Sequence, residues 1–259
     1  MFVRFLKSAY VVLLLPVIAF ALWFAISAAA PTFYFPSLSS ILGQFGELWL
    51  SQKLFTDVLP SIARLIIGYG LACVVGVVLG VALGLSVRAR EAAEPVLEFF
   101  RAVPPPVLVP VLILLAGFGD SMKIWVIVIG SIWPILLNTI EGVKSYDEVL
   151  SETCQTFQIT GWGRLRHFVL PGALPNIFAG ARQGLSIGII LMVISEMFAA
   201  TNGLGAAIIL FQRSFAIPQM WSGVVLLGLI GFLLSMIFRA IERRALGWYR
   251  SSKNLEREN

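Results

Sequence analysis

The chain has 259 residues, 58% of them hydrophobic and 13% charged, with a mean hydropathy of +0.90. A soluble domain carries about a quarter charged residues, so a single soluble globule is excluded and a multi-span membrane protein is indicated, because lipid does not solvate charge. The net charge of +5 reads as cations gathered on one membrane side rather than as a nucleic-acid footprint, and no nucleic-acid partner is expected.

Arg4 and Lys7 precede an apolar run from Tyr10 to Ala30. The run is as long as a full span and longer than a signal-peptide core, so it reads as a retained transmembrane helix over 10–30. An aromatic segment, Thr32 to Ser37, follows at an expected membrane interface. Ser37 is placed to cap a short amphipathic helix reaching Leu50. A second span is expected over 58–87. Within it Gly76, Gly80 and Gly84 form a small-residue stripe suited to close helix packing, and Arg64, near its outer end, is expected to snorkel to the interface. Residues 88–100 read as a polar helix. Pro104, Pro105, Pro106 and Pro110 then set the start of a third, short span over 105–118, and part of the upstream segment must share that crossing. After the Gly117–Asp120 turn, a fourth span covers 122–143, with a kink expected at Pro134 beside Trp133 and Asn138. Asn138 either bonds a neighbouring helix or lines a path.

The longest polar interruption runs from Tyr146 to Pro175. It is too long for a simple turn. Its pattern predicts two short amphipathic helices, with Val149, Thr153 and Thr156 or Phe157 in the first and Trp162, Leu165 and Val169 in the second, broken at Thr160-Gly161. It holds the single histidine, His167, beside Arg164 and Arg166, and Leu170-Pro171 is expected to close it. A fifth span covers 175–200. Glu196 stands about 30 Å along it at 1.5 Å per residue, near an end, where it lines a mouth or caps the following loop. A short apolar helix near 206–211 and a sixth span over 221–241 complete the chain before a basic tail.

Six spans put both termini on one side. Fifteen of the 19 basic residues, Arg182 among them, fall on that side, and only Lys53, Arg64, Lys123 and Arg213 fall on the other. This asymmetry places both termini and the polar hairpin in the cytoplasm. The two cysteines, Cys73 and Cys154, provide no disulfide framework. No phosphate-binding glycine loop is present, and no residues have metal-ligand spacing. An ionisable group at mid-membrane, which a self-driven carrier keeps, is not evident. The chain is expected to lack catalytic, metal and cofactor sites, and to take its energy from outside. A self-sufficient carrier is the alternative.

Several stretches resemble one family. Glu152-Thr153-Cys154, Gln158-Ile159-Thr160 and Leu170-Pro171 resemble the coupling loop of bacterial type I ABC transporter permeases, with Gln158 where that family has glycine. Phe35-Pro36-Ser37, Ser61 and Arg64 with Gly68, the block from Arg101 through Pro104, Pro105 and Pro110 to Gly117, Gly119, Asp120 and Lys123, and Ser195-Glu196-Met197 with Gly203-Leu204-Gly205 resemble the branch that includes taurine, alkanesulfonate and nitrate importers. The resemblance implies an all-α membrane protein, a single transmembrane domain over 1–259 with six transmembrane helices in a type I importer permease bundle and a cytoplasmic coupling helix within 146–171. It implies the bacterial inner membrane and three kinds of partner: a second permease copy, two ABC ATPase subunits that bind ATP and Mg, and a periplasmic or lipid-anchored solute-binding protein. The solute implied is small and anionic, of sulfonate, taurine or nitrate type, with a thiamine precursor, bicarbonate or an aromatic acid as alternatives. Glu152 is expected to bond within the hairpin. Gln158, Ile159, Thr160, Gly161 and Trp162 are expected to enter the ATPase cleft, with Leu170 and Pro171 closing the loop. Arg164 and Arg166 are expected to meet acidic groups of the ATPase or lipid phosphates. Trp133, Asn138, Met192, Ser195 and Glu196 are candidate pathway residues.

Overall fold

The computed structural model describes Leu14, Ile18 and residues 21–27, 32–145, 152–154, 156–199 and 201–249. Every regular element among them is helical, and the main α-helices are α1 (Leu38–Trp49), α2 (Leu59–Leu85), α3 (Val87–Ala102), α4 (Val109–Ala116), α5 (Asp120–Lys144), α6 (Gly161–Arg164), α7 (Leu170–Ala199), α8 (Leu204–Arg213) and α9 (Ile217–Ala245). Ser37 caps α1 as the sequence predicts, its Oγ accepting the Ser40 N–H at 3.4 Å. The apolar face of α1 packs on α8 and α9. Trp49 is buried there and donates its indole N–H to Ser222 Oγ at 2.9 Å.

Two wide, π-type turns, Leu54–Val58 and Leu165–Val169, lead into α2 and α7. Each stands just before a Leu-Pro pair, Leu59-Pro60 and Leu170-Pro171. Proline lacks the N–H that would bond four residues back, and its ring crowds that carbonyl. The preceding leucine therefore reaches one residue further: Leu59 N–H bonds Leu54 O, and Leu170 N–H bonds Leu165 O. This corrects one expectation. Leu170-Pro171 closes nothing, because the π turn absorbs the missing donor, and the helical path runs from Gly161 to Phe198 as one candidate span. The second short helix of the hairpin, α6 with the π turn after it, is the start of that path.

The core is a layer of three helices with α5 between α2 and α7. Close approach is set by glycine. A Cβ added at Gly76 would lie 2.9 Å from Ile135 Cγ2, at Gly80 2.5 Å from Thr139 Cβ, and at Gly84 2.7 Å from Val143 Cβ, so the predicted stripe is the α2 surface that meets α5. On the other side, Gly180 and Gly184 of α7 lie on the Pro134 and Ser131 carbonyls of α5. Pro134 sits inside α5 without ending it. α5 is the most buried of the long helices and α9 the least.

The helical path Leu54–Leu85, α5, the path Gly161–Phe198 and α9 are long and apolar enough to cross a membrane. α3 and the segment Pro105–Ala116 form a fifth candidate, a pair bent by 82°. The prolines thus act as predicted, opening a short 3-10 turn, Pro105–Leu108, before α4. The first expected span, 10–30, falls largely outside the described residues, as do residues 146–151 of the hairpin.

Candidate functional site

The bundle has two chemically distinct ends. At the basic end, residues 152–154 and 156 are helical, and this helical stretch stops at Gln158, whose φ is +54°. Phe157 N–H bonds Thr153 O at 3.0 Å and Ile159 N–H bonds Cys154 O at 2.8 Å. The second bond is the six-to-one closure of a Schellman cap, which favours glycine at the left-handed position. Gln158 adopts that conformation with a side chain attached, so the departure from the family pattern leaves the turn intact and places strain in it. Gly161, with φ +57°, opens α6.

Around these two left-handed residues stand Phe157 and Trp162, 73% and 70% exposed, with Ile159 also exposed. Gln158, Thr160 and Gly161 are exposed between them. Three large apolar side chains on a polar hairpin form a surface that calls for a partner. Beside it a cleft of about 360 Å³ is lined by Arg90, Lys144 and Arg164. Arg164 also lies 5.9 Å from the centre of the Phe168 ring. Arg166 is exposed, and His167 Nδ1 donates to Gly163 O at 3.1 Å. Leu170 and Pro171 are half-buried within the continuous helix. The Glu152 side chain is exposed, and no bond from its carboxylate joins the two halves of the hairpin among the described residues.

At the opposite end, motif fragments far apart in sequence meet in one buried polar cluster. Arg64 is 3% exposed. Its Nη1 donates to Glu196 Oε1 at 2.7 Å, its Nε to Asp120 Oδ1 at 2.9 Å and its Nη2 to Asn202 Oδ1 at 2.6 Å. Glu196, 1% exposed, also lies 2.7 Å from Ser61 Oγ and accepts the Gly205 N–H at 2.9 Å in the first turn of α8. Ser61 Oγ accepts the Leu204 N–H, and Asp57 accepts the Gly203 N–H, both at 2.9 Å. Lys53 and Lys123 pair with Asp57 and Asp120, so three cations meet three carboxylates. Gly203 has φ +121°, and a Cβ there would stand 2.5 Å from the Glu196 carboxyl carbon, which leaves glycine as the residue that fits. The cluster is a clasp tying α2, the start of α5, the end of α7 and the loop into α8. It corrects the expectation that Arg64 snorkels: a guanidinium stays buried where carboxylates and carbonyls satisfy it.

The candidate pathway residues separate. Met192 is fully buried in the core with Leu65, Met122 and Val126. Ser195 is buried and donates to Met192 O at 2.9 Å. Glu196 belongs to the clasp. The chain's own packing thus covers these three. Trp133 and Asn138 are half-buried, and Asn138 donates to Pro134 O of its own helix at 2.8 Å rather than to a neighbouring helix. The polar residues that α7 does expose along its middle are Arg182, Gln183 and Ser186. The sequence reading assigned Arg182 to a charged side of the membrane and left the other two unmarked, although polar residues at i, i+1 and i+4 within an apolar run were a usable signal. Among the described residues no group of acidic, histidine or cysteine side chains could hold a metal ion.

The profile of the binding-protein-dependent transport system inner membrane component family matches residues 72–247. The chain belongs to this family. The putative aliphatic sulfonates transport permease protein SsuC of Bacillus subtilis (strain 168) is 30% identical over 241 residues, covering 92% of this chain and 87% of that protein. The taurine transport system permease protein TauC of Escherichia coli (strain K12) is 31% identical over 212 residues, 82% of this chain and 76% of its own length. The nitrate import permease protein NrtB of Leptolyngbya laminosa is 30% identical over 197 residues, 75% and 70% of the two chains. In fold, the permease superposes on a chain of the MetNI methionine ABC transporter in an inward-facing conformation, with TM-score 0.65 at 20% identity, covering 76% of this chain and 97% of that one. The permease is therefore a multi-pass membrane transport subunit of an ABC importer and not an enzyme; ATP hydrolysis belongs to a separate subunit.

Proposed function

We propose that two copies of this permease form the pathway of an ATP-driven importer for a small anionic solute of sulfonate, taurine or nitrate type. The observation that carries the energy-coupling half is the exposed knuckle Phe157–Trp162 at the end of a helical path that continues into the membrane as far as Phe198. Gln158, Ile159, Thr160, Gly161 and Trp162 enter a cleft of the ATPase, and Arg164 and Arg166 meet acidic groups at its rim. Two ATPase subunits bind ATP and Mg; their closure on ATP draws the two knuckles together, and hydrolysis releases them. The basic end and both termini lie in the cytoplasm, in keeping with 14 of 19 basic residues on that side, Arg182 set apart. A periplasmic or lipid-anchored solute-binding protein delivers the solute at the clasp end. Alternating access then follows from the ATPase binding one state of the pair more tightly than the other. The sulfonate, taurine and nitrate relatives support the solute class.

Trp162→Glu and Gly161→Glu test the docking. Affinity of the ATPase for the permease, read by co-purification, is expected to fall about a hundredfold or more, since a charge in a dry cleft costs several kcal/mol. A complex that stays intact and transports normally with both substitutions refutes it.

A further inference from the structure

We infer that Arg182, Gln183 and Ser186 of α7 form a hydrated wall of the solute path that recognises an oxyanion; this rests on the permease reading above. Their depth follows from packing. Gly180 lies on the Pro134 carbonyl and Gly184 on the Ser131 carbonyl of α5, so the stripe is level with residues 131–134. That is about 15–20 Å of helix from Lys144 and about 16–21 Å from Asp120 at 1.5 Å per residue, the middle of a hydrocarbon core about 30 Å thick. At this depth the other exposed faces are apolar, with Val74 and Val78 on α2 and Phe232, Leu233 and Met236 on α9. These suit lipid. The α7 face does not. Arg182 is 50% exposed, Gln183 and Ser186 are exposed, and the Gln183 amide makes no hydrogen bond among the described residues. An amide without partners is not tolerated against hydrocarbon, so this face meets water.

The stripe is rich in donors. The Arg182 backbone is level with the stripe, while its side chain reaches toward the basic end, where Nη2 pairs with the buried Glu242 in the last turns of α9; this engages one of the five guanidinium N–H groups. The remaining N–H groups and the Gln183 amide lie along one face with the Ser186 hydroxyl, whose one proton goes to Arg182 O at 3.4 Å. Planar forks of this kind match oxyanions in a bidentate manner. Glu242 balances the charge, so an anion is held by hydrogen bonds from the free N–H groups rather than by net charge and still leaves, as conduction requires.

The test uses the permease–ATPase complex in lipid nanodiscs with Cys73→Ala and Cys154→Ala in place. Gln183→Cys and Ser186→Cys should react with a charged methanethiosulfonate about tenfold faster than Val74→Cys and Phe232→Cys. Ethanesulfonate at millimolar concentration should slow the reaction at Gln183→Cys, and choline chloride should not. That protection should weaken with Arg182→Lys, which keeps the charge without the fork, and vanish with Arg182→Gln. Reaction at the control rate overturns the wall, and so does a disulfide between two copies through Gln183→Cys, which would mark a dry contact. Equal protection by both salts, or by neither, overturns the oxyanion. The importer reading fails separately, as loss of ATPase co-purification by the otherwise unsubstituted cysteine-free chain.

Discussion

Substituting Arg64 by methionine isolates the clasp. The guanidinium faces two carboxylates of unequal standing. Asp120 has a side chain 63% exposed, so water replaces its lost partner at little cost, as for surface pairs generally. Glu196 has a fully buried side chain and would keep only Ser61 and the Gly205 N–H. Removing one partner of such a buried pair costs about 3–5 kcal/mol. With about 2–4 °C lost per kcal/mol for chains of this size, unfolding should shift down by about 6–20 °C. Tryptophan fluorescence of the permease–ATPase complex in nanodiscs, followed on heating, reads that shift. Glu196→Leu alone should cost a similar amount, because it leaves Arg64 buried beside Asn202 without its inner carboxylate. The double variant Arg64→Met with Glu196→Leu should cost far less than the two losses added, since a buried pair replaced by apolar side chains of similar size is often close to neutral. If the double variant loses the sum of the single losses to within about 0.5 kcal/mol, the two groups do not act as a buried pair and the clasp is wrongly described.

The hairpin and the core give two further expectations. Gln158→Gly should stabilise the hairpin by about 0.5–1 kcal/mol, because relief of a left-handed side-chain residue, about 1–2 kcal/mol, exceeds the extra chain entropy of glycine, about 0.5–1 kcal/mol. A higher midpoint in thermal unfolding of the complex checks it, and a lower one contradicts the turn. Gly80→Ala should cost about 1–3 kcal/mol by pushing α2 off Thr139, whereas Gly70→Ala, where a Cβ meets nothing within 4 Å, should be neutral or slightly stabilising. Equal midpoints for the two variants would refute the α2–α5 contact.

What could be read from the sequence was local. Ser37 as a cap, the proline run before α4 and the glycine stripe of α2 each act through neighbours within a turn or two, or through a period that the sequence displays. Arg64 could not be placed that way. Its inner carboxylate is 132 residues distant, and a lone arginine near a span end reads as a snorkelling one until that partner is found. Arg182 shows a related limit: counting cations by side says nothing about depth along a helix, on which the contacts of Gly180, Gly184 and Glu242 bear. Leu170-Pro171 misled differently. A proline normally stops a helix, and the sequence does not announce that a π turn will take up the missing bond. At Gln158 the polar side chain marks a loop, while the left-handed backbone shows only in the Cys154–Ile159 closure.

The helical path from Gly161 to Phe198 holds 38 residues, about 57 Å at 1.5 Å per residue. Held at Gly180 and Gly184 against α5, it has the proportions of an oar in its rowlock. The handle is the knuckle with Trp162; the blade is the stretch that carries Glu196. A sideways stroke at the handle swings the blade the opposite way, and because Glu196 is lashed to Arg64 and to the loop before α8, the blade takes the ends of α2 and α8 with it. The backbone bonding of the shaft is loosened at the wide turn Leu165–Val169 and again at Pro175, both between the handle and the rest at Gly180, so the shaft gives on the handle side of its rest.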